Sequence, residues 1–349
     1  MLPPQVGRCK LGRYVIRRML FAIPTLIAIG LVIFAILTLA PGDPTANLPL
    51  TIPSEVREQI RQSLGLGDPF FLRWLKWMQL TFINEPLNII ESIFNVCIGD
   101  CEGRARIISW SSRSPALDTV AERIPQTLWV LGFAFVFGIL IAIPVGIISA
   151  YKQYSWFDNV GTFVTMVGYS VPTFFTGLLA IVIFSVHLKW FPSLYNTNHV
   201  VDWTSWDSIL IQIKQMIMPV AVLSLFNAAA LSRFTRASML DNLNEDYVRT
   251  ARSKGAKEKT VVLTHVLRNS LIPVVTLIAL QMPGIFAGAI ITEQIFRING
   301  IGALLINAIL QSDVPMVQTL TFIFAFLIVM FNLIADVTYG LLDPRIRYD

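Results

Sequence analysis

Charge is scarce in this chain. Of its 349 residues, 14% are Asp, Glu, Lys or Arg, against about 25% in soluble globular domains. Hydrophobic residues make up 54%, and the mean hydropathy is +0.64. That balance excludes an ordinary soluble domain and defines an integral membrane protein. Histidine is as rare: His187, His199 and His265 are scattered, and no His-Glu-x-x-His is present, so nothing points to a metal or cofactor. A phosphate-cradling loop is missing too, because Arg252-Ser253-Lys254-Gly255 lacks the glycine-rich run before it. The chain is therefore not expected to hydrolyse nucleotide itself. Three cysteines are too few for a disulfide framework. Cys9 precedes the first apolar run, while Cys97 and Cys101 share a loop whose spacing is compatible with a disulfide and equally with two free thiols. Acidic residues number 22 against 27 Lys plus Arg. In a chain of apolar spans that excess reads as membrane orientation, not nucleic-acid binding.

What is present is a series of long apolar runs. A basic leader (Arg8, Lys10, Arg13, Arg17, Arg18) precedes a run from about Met19 to Ala40. This run is longer than the roughly 7 to 15 apolar residues of a signal peptide and has no small-x-small cleavage site, so it reads as a retained first span. Residues 41–125 contain no run long enough to cross a bilayer. Val56, Ile60 and Leu64 behind Ser54 predict a short amphipathic helix. Residues 69–82 predict a second, carrying Phe70, Phe71, Trp74, Trp77 and Met78 among Arg73 and Lys76. It suits either the membrane interface or packing on the protein's own flank. Five further spans follow at about 127–150, 160–186, 216–231, 271–295 and 316–342. All but the fourth reach the roughly 20 residues that a hydrocarbon core of about 30 Å requires, and Ile209 to Ile213 can extend the fourth upstream. The expected architecture is an all-α membrane protein of six transmembrane helices. Its parts are a leader with helix one (1–40), an external region (41–125) and a core (126–349). Six spans put both termini on one side, which holds 16 of the 27 Lys and Arg. The other 11 are diluted over a long loop, so the termini are expected in the cytoplasm.

Polar groups within the spans need a reason, because a charged residue at a helix centre costs about 2.5–3.5 kcal/mol on insertion scales. Asn332 and Asp336 lie one turn apart in span six, and Asn227 and Gln281 lie in spans four and five. Each is a candidate for lining a hydrophilic path, or for a hydrogen bond between helices; the second reading is preferred for Asn332 and Asp336. Glu293, near the outer end of span five, is left without a role, and Gly300-x-Gly302 reads as turn chemistry. Prolines recur at membrane depth, and Pro172 and Pro283, the latter followed by Gly284, are the candidate gate positions. Small residues at Gly284, Ala287, Gly288 and Ala289 predict close approach of a second helix bundle.

Residues 244–273 are different in kind, the most polar and basic run of the chain. Asp241, Asn242, Asn244, Glu245 and Asp246 interrupt any apolar face, and Gly255 breaks the helix, so a lipid-binding surface helix fits poorly. The pattern predicts helix, tight turn, helix within a loop of 237–270. Tyr247, Val248, Ala251 and Arg252 would form a compact knob that a partner's groove accepts.

At these residues the chain resembles the permease subunits of the dipeptide/oligopeptide ABC importers, of the "B" type. Tyr247-Val248-Arg249-Thr250-Ala251-Arg252-x-Lys254-Gly255 is similar to that subfamily's variant of the coupling motif. The likeness continues through Ala40-Pro41-Gly42-Asp43-Pro44, Thr235 to Met239, His265 to Pro273, Glu293-x-x-Phe296, Gly300-Ile301-Gly302 and Leu341 to Arg345. It lapses at about 84–110, where this chain is longer than the family pattern. The resemblance implies a type I ABC importer permease fold with a periplasmic insertion after the first helix, in a bacterial inner membrane. Tyr247, Arg249, Thr250, Ala251, Arg252 and Gly255 would couple to an ATPase, and Pro172, Asn227, Gln281, Pro283 and Gly284 would belong to the pathway or its gates. Implied partners are a second permease of similar fold, two cytoplasmic ATPase subunits, an external solute-binding protein and the lipid bilayer. The expected function is half of an ATP-driven import pathway for peptides or similar small polar solutes. A stand-alone secondary transporter would instead show inverted repeats and intramembrane carboxylates for ion coupling. A non-transporting assembly protein would leave the loop unexplained.

Overall fold

The computed structural model describes residues 6–39, 53, 55, 67–97, 99, 103–287 and 290–342. The turn at Ala40 to Pro44, the helix expected behind Ser54, Cys101, Gly288, Ala289 and Asp343 to Arg345 lie outside them. Among the described residues there is no β-strand, only an isolated bridge between Ile108 and Pro115. The helices are α1 (Val6–Leu39), α2 (Phe70–Gln79), α3 (Glu85–Phe94), α4 (Ala116–Thr127), α5 (Phe133–Tyr151), α6 (Trp156–Ser170), α7 (Thr173–Ala180), α8 (Trp206–Leu243), α9 (Asp246–Ser253), α10 (Leu267–Ala287), α11 (Ile290–Phe296), α12 (Ile301–Leu310) and α13 (Val314–Leu342). Short π-helical stretches join α2 to α3, α4 to α5 and lead into α10, and another extends α7 to His187.

Among the described residues, five helices are long and apolar enough to cross a membrane: Val15–Leu39, Ala116–Tyr151, Trp206–Leu243, Glu258–Ile285 and Val314–Val337. A sixth crossing exists if α6 and the α7 rod count as one span. Here the structure corrects the continuous helix expected over 160–186. The chain breaks at Val171, which is extended, and the two halves bend by 102°. Pro172 cannot donate a helix hydrogen bond and disfavours helical geometry in the residue before it, which is why the break falls at that step. Two further boundaries move. The fourth span is one helix of 38 residues, including the upstream segment. The fifth begins at Glu258, earlier than expected, and helix is described again from Ile290 to Phe296.

The chain divides into two compact units. The first comprises residues 1–19, 125–303 and 328–349, and its centre is the parallel pair α5 and α8, with Gly138 beside Asn227 and Gly146 beside Thr235. Small residues recur every four positions on α5, at Gly138, Ala142 and Gly146, all buried. A Cβ placed on Gly138 would sit 3.1 Å from Cβ of Asn227, and one on Gly146 would sit 2.6 Å from Cβ of Thr235 and 2.8 Å from the Ser232 carbonyl. This is close backbone approach through small residues, the usual basis of helix association where lipid removes the hydrophobic driving force. The sequence reading placed that feature on the fifth span. Gly284 has nothing within 4 Å of where a Cβ would be, so within this chain its face is open. Asp158 ties α6 to α8 in the same unit: its carboxylate, 2% exposed as a residue, accepts from Arg236 Nε at 2.7 Å and Nη2 at 2.8 Å. Asp336 pairs with Arg18 at 3.1 Å, a bond between helices, as preferred above.

The second unit comprises residues 20–124 and 304–327. It holds α2 and α3 against the later part of α1 and the first half of α13. Residues 103–110 fold back on α3. Ile107 N donates to Glu85 at 2.8 Å, Asn84 donates to the Ala105 carbonyl at 2.9 Å, and Arg104 pairs with Glu91 at 2.9 Å. Cys97 is disulfide-bonded. Asp313, 2% exposed, closes the unit by accepting from the backbone of Trp110 and Ser111 and from Met316 N at the start of α13.

Candidate functional site

The loop after α8 forms the expected helix, tight turn, helix. Helix α9 starts after Glu245 in extended conformation and ends at Lys254. Gly255 then adopts φ of +76°, with its N–H bonded to the Arg252 carbonyl at 3.0 Å. That left-handed conformation is the reason a glycine closes this helix. Arg252 clamps the turn by donating to both carboxylate oxygens of Glu258, at 3.2 and 2.7 Å, and these hydrogen bonds raise the guanidinium above its ordinary pKa.

The inward face of α9 sits on a dry seat. Val248 is fully buried among Met239 of α8, Ala150 at the end of α5, and Val261, Val262 and Val266 ahead of α10, with Tyr247 and Ala251 half-buried beside it. Tyr247 donates to Asn242 at 2.8 Å. For Val248 the composition of the knob is thereby corrected, since that side chain faces the protein's own core. Tyr247, Val248 and Ala251 are the root, and the outward surface is Arg249, Thr250, Arg252, Ser253, Lys254 and Gly255, all exposed. Amphipathic spacing located the helix, while Val248 is claimed by α8 and the valine cluster.

The pathway candidates come together in part. Asn227 on α8, with Gln281 and Gly284 on α10, lines a cleft of about 770 Å³ together with Thr173, Thr292 and Phe226. Pro172 marks the break directly before Thr173. Pro283 is buried and does not line the cleft.

Sequence reasoning missed a second buried polar cluster. Glu293 on α11 is 1% exposed, not hydrated at a span end. Its carboxylate accepts from Ala303 N at 2.7 Å and Thr127 Oγ1 at 3.4 Å, and Thr127 in turn accepts from Ile301 N at 2.8 Å. Gly300 and Gly302 leave the space the carboxylate fills, and a Cβ on either would run into it. The two glycines were visible as a motif. Their partner, seven residues upstream on another helix, was not.

A multi-pass helical membrane protein, with a helix seated on the ends of its central pair and an amide-lined cleft beside it, has the form of a transport permease. Residues 142–348 match the family model of the binding-protein-dependent transport system inner membrane component, and residues 11–131 match that of the N-terminal part of such membrane components. The chain belongs to this family. It is similar to the oligopeptide transport system permease protein AppB of Bacillus subtilis, 37% identical over 339 residues that cover 97% of this chain and 100% of the relative. It is also similar to the glutathione transport system permease protein GsiC of Escherichia coli K12, 34% identical over 336 residues covering 96% and 99%. The protein is accordingly a multi-pass inner membrane permease subunit of an ABC importer. Such systems combine it with a solute-binding protein, a partner permease and separate subunits that hydrolyse ATP.

Proposed function

We propose that this permease imports peptides or similarly sized polar solutes, and that α9 is where an ATPase subunit drives it. The termini and the loop carrying α9 then face the cytoplasm. The other members are a second permease of similar fold, two cytoplasmic ATPase subunits and an external solute-binding protein. Supporting this reading is the mounting of α9: Val248 roots it in one valine cluster with α8 and the start of α10. A push on the exposed Arg249 to Lys254 face reaches both helices that carry Asn227 and Gln281. ATP-driven closure of the ATPases would move α9 and bias the cleft between two accessibilities. The neutral amides of the cleft offer both donors and acceptors, as a solute rich in peptide groups requires.

The test is solute-stimulated ATP hydrolysis by the assembled complex in liposomes. Arg249→Glu reverses a charge on the exposed face, and Gly255→Val forces a branched residue into the left-handed region. Both variants are expected to assemble and lose most of the stimulation. Assembly with full stimulation would remove α9 from the coupling role.

A further inference from the structure

We propose that α2 and α3 form one in-plane membrane anchor, a rod lying in the lipid boundary at the Leu39 end of α1, with an acyl chain filling the slot beneath it. Two observations carry this: the placement of an exposed apolar stripe, and the depth of an apolar cavity that Pro86 and Ile90 of the stripe help to line.

The stripe runs the whole length of the rod. Phe71, Leu75, Ile83, Pro86, Ile90 and Ile93 are exposed, at steps of three, four or eight residues, with only Gln79 polar in the series. The π-helical turn at Leu80–Asn84 falls within this series, between Leu75 and Pro86. On the opposite face Trp77 is buried, packed on Phe34 of α1 at 6.0 Å and on Phe322 of α13 at 5.6 Å between ring centroids. Phe34 lies five residues before Leu39, about 7.5 Å along the helix. In-plane amphipathic helices sit about 5–10 Å into the boundary between headgroups and chains. Phe70 and Trp77 both meet Phe34, so the α2 half of the rod is pinned near the depth such a helix occupies, on spans whose own flanks, Ile23, Val32 and Ile36, are equally exposed. The cations follow suit. Lys76 pairs with Asp68 at 2.6 Å, and the Arg73 guanidinium lies 5.9 Å from the Phe34 ring, the positions of side chains that reach up to water.

The slot lies directly below. It holds about 630 Å³ and is lined by Ile23 and Leu26 of α1, Pro86 and Ile89 of α3, and Phe322 and Phe326 of α13. Leu26 is 13 residues from Leu39, about 20 Å deeper, so the slot runs from the rod toward the middle of the bilayer. Glu85, the one charged lining residue, is turned away by its bond to Ile107 N. A long apolar slot with its mouth at the rod and its floor at chain depth fits one lipid tail.

The experiment uses the full complex in nanodiscs, in a Cys9→Ser background. Nitroxides placed at Phe71→Cys, Leu75→Cys and Ile93→Cys are expected to collide with oxygen several-fold more often than with a water-soluble nickel chelate. A nitroxide at Ser112→Cys should show the reverse. Preference for the nickel chelate at all three rod positions overturns the anchor. Shielding from both agents overturns it too, and assigns the face to a protein partner or another segment of the chain. For the slot, a fluorophore at Ile89→Cys should be quenched by phospholipids brominated in the mid-chain. Unchanged emission there would remove the lipid tail.

Discussion

At the scale of single residues, three glycines do different work, and each predicts a different substitution pattern. Gly255 needs only its backbone freedom, since no atom lies within 4 Å of a Cβ there. Asn tolerates the left-handed region far better than a branched residue. Gly255→Asn is therefore expected to keep most of the transport that Gly255→Val loses, when both are measured as solute uptake in liposomes. Gly146 needs space instead. Its Cβ would meet the Ser232 carbonyl at 2.8 Å, and backbone cannot step aside as a flexible side chain does. Gly146→Ala should cost about 1–3 kcal/mol, the range for overpacking a close contact, read as a lower unfolding midpoint in detergent. Gly300 needs space for a charge. Gly300→Ala should displace the Glu293 carboxylate and expose the loop after α11 to proteolysis, and Gly300→Ala with Glu293→Ala should recover part of the protection.

At the scale of elements, α9 is stabilised from below by packing and only weakly from above by charge. Val248 is fully buried, so Val248→Ala removes two methyl groups' worth of burial and leaves a cavity, about 2 kcal/mol in total. The Arg252–Glu258 pair is partly exposed, at 44% and 39%, and should contribute about 0.2–1 kcal/mol in a double-mutant cycle. Hydrogen exchange over residues 246–253 checks both: Val248→Ala should accelerate it far more than Arg252→Ala. How much of this element could be read beforehand follows from the same contrast. The loop's helix, turn and closing glycine were legible because polarity, Gly255 and spacing are local signals. The inward direction of Val248 was not, because it depends on Met239 and the valines at 261, 262 and 266, which the chain brings in from both sides. The same limit hid Glu293 behind Gly300 and Gly302, and Arg236 behind Asp158. Long apolar runs gave away the spans but not the break at Val171, where Pro172 could equally have made a mild kink.

At the scale of the whole molecule, that break decides the topology. The halves Trp156–Ser170 and Thr173–His187 bend by 102°. Each arm is about 22 Å long at 1.5 Å per residue, too short to cross a hydrocarbon core of about 30 Å. Joined at that angle they reach about 28 Å from end to end, enough to cross only if the line between their ends runs along the membrane normal. Such a crossing places Val171 and Pro172 at mid-depth, where non-helical backbone is tolerated beside protein or a water-lined cavity. That condition is met in part: Thr173 lines the cleft with Asn227 and Gln281, and the Val171 N–H is bonded to the Val167 carbonyl at 2.9 Å. We therefore expect six crossings, with both termini and Lys254 in the cytoplasm. A re-entrant pair would leave five and put the N-terminus opposite both the C-terminus and α9, an arrangement the parallel packing of α5 on α8 argues against, because it brings the ends of both helices to one side. A cytoplasmic biotin-acceptor tag at the N-terminus, a fluorescent protein at the C-terminus and thiol labelling of Lys254→Cys in intact cells separate the two arrangements. Biotinylation, fluorescence and protection of the thiol together give six crossings. Loss of biotinylation, with the other two retained, gives five and makes the α6–α7 pair a loop that enters and leaves on one side.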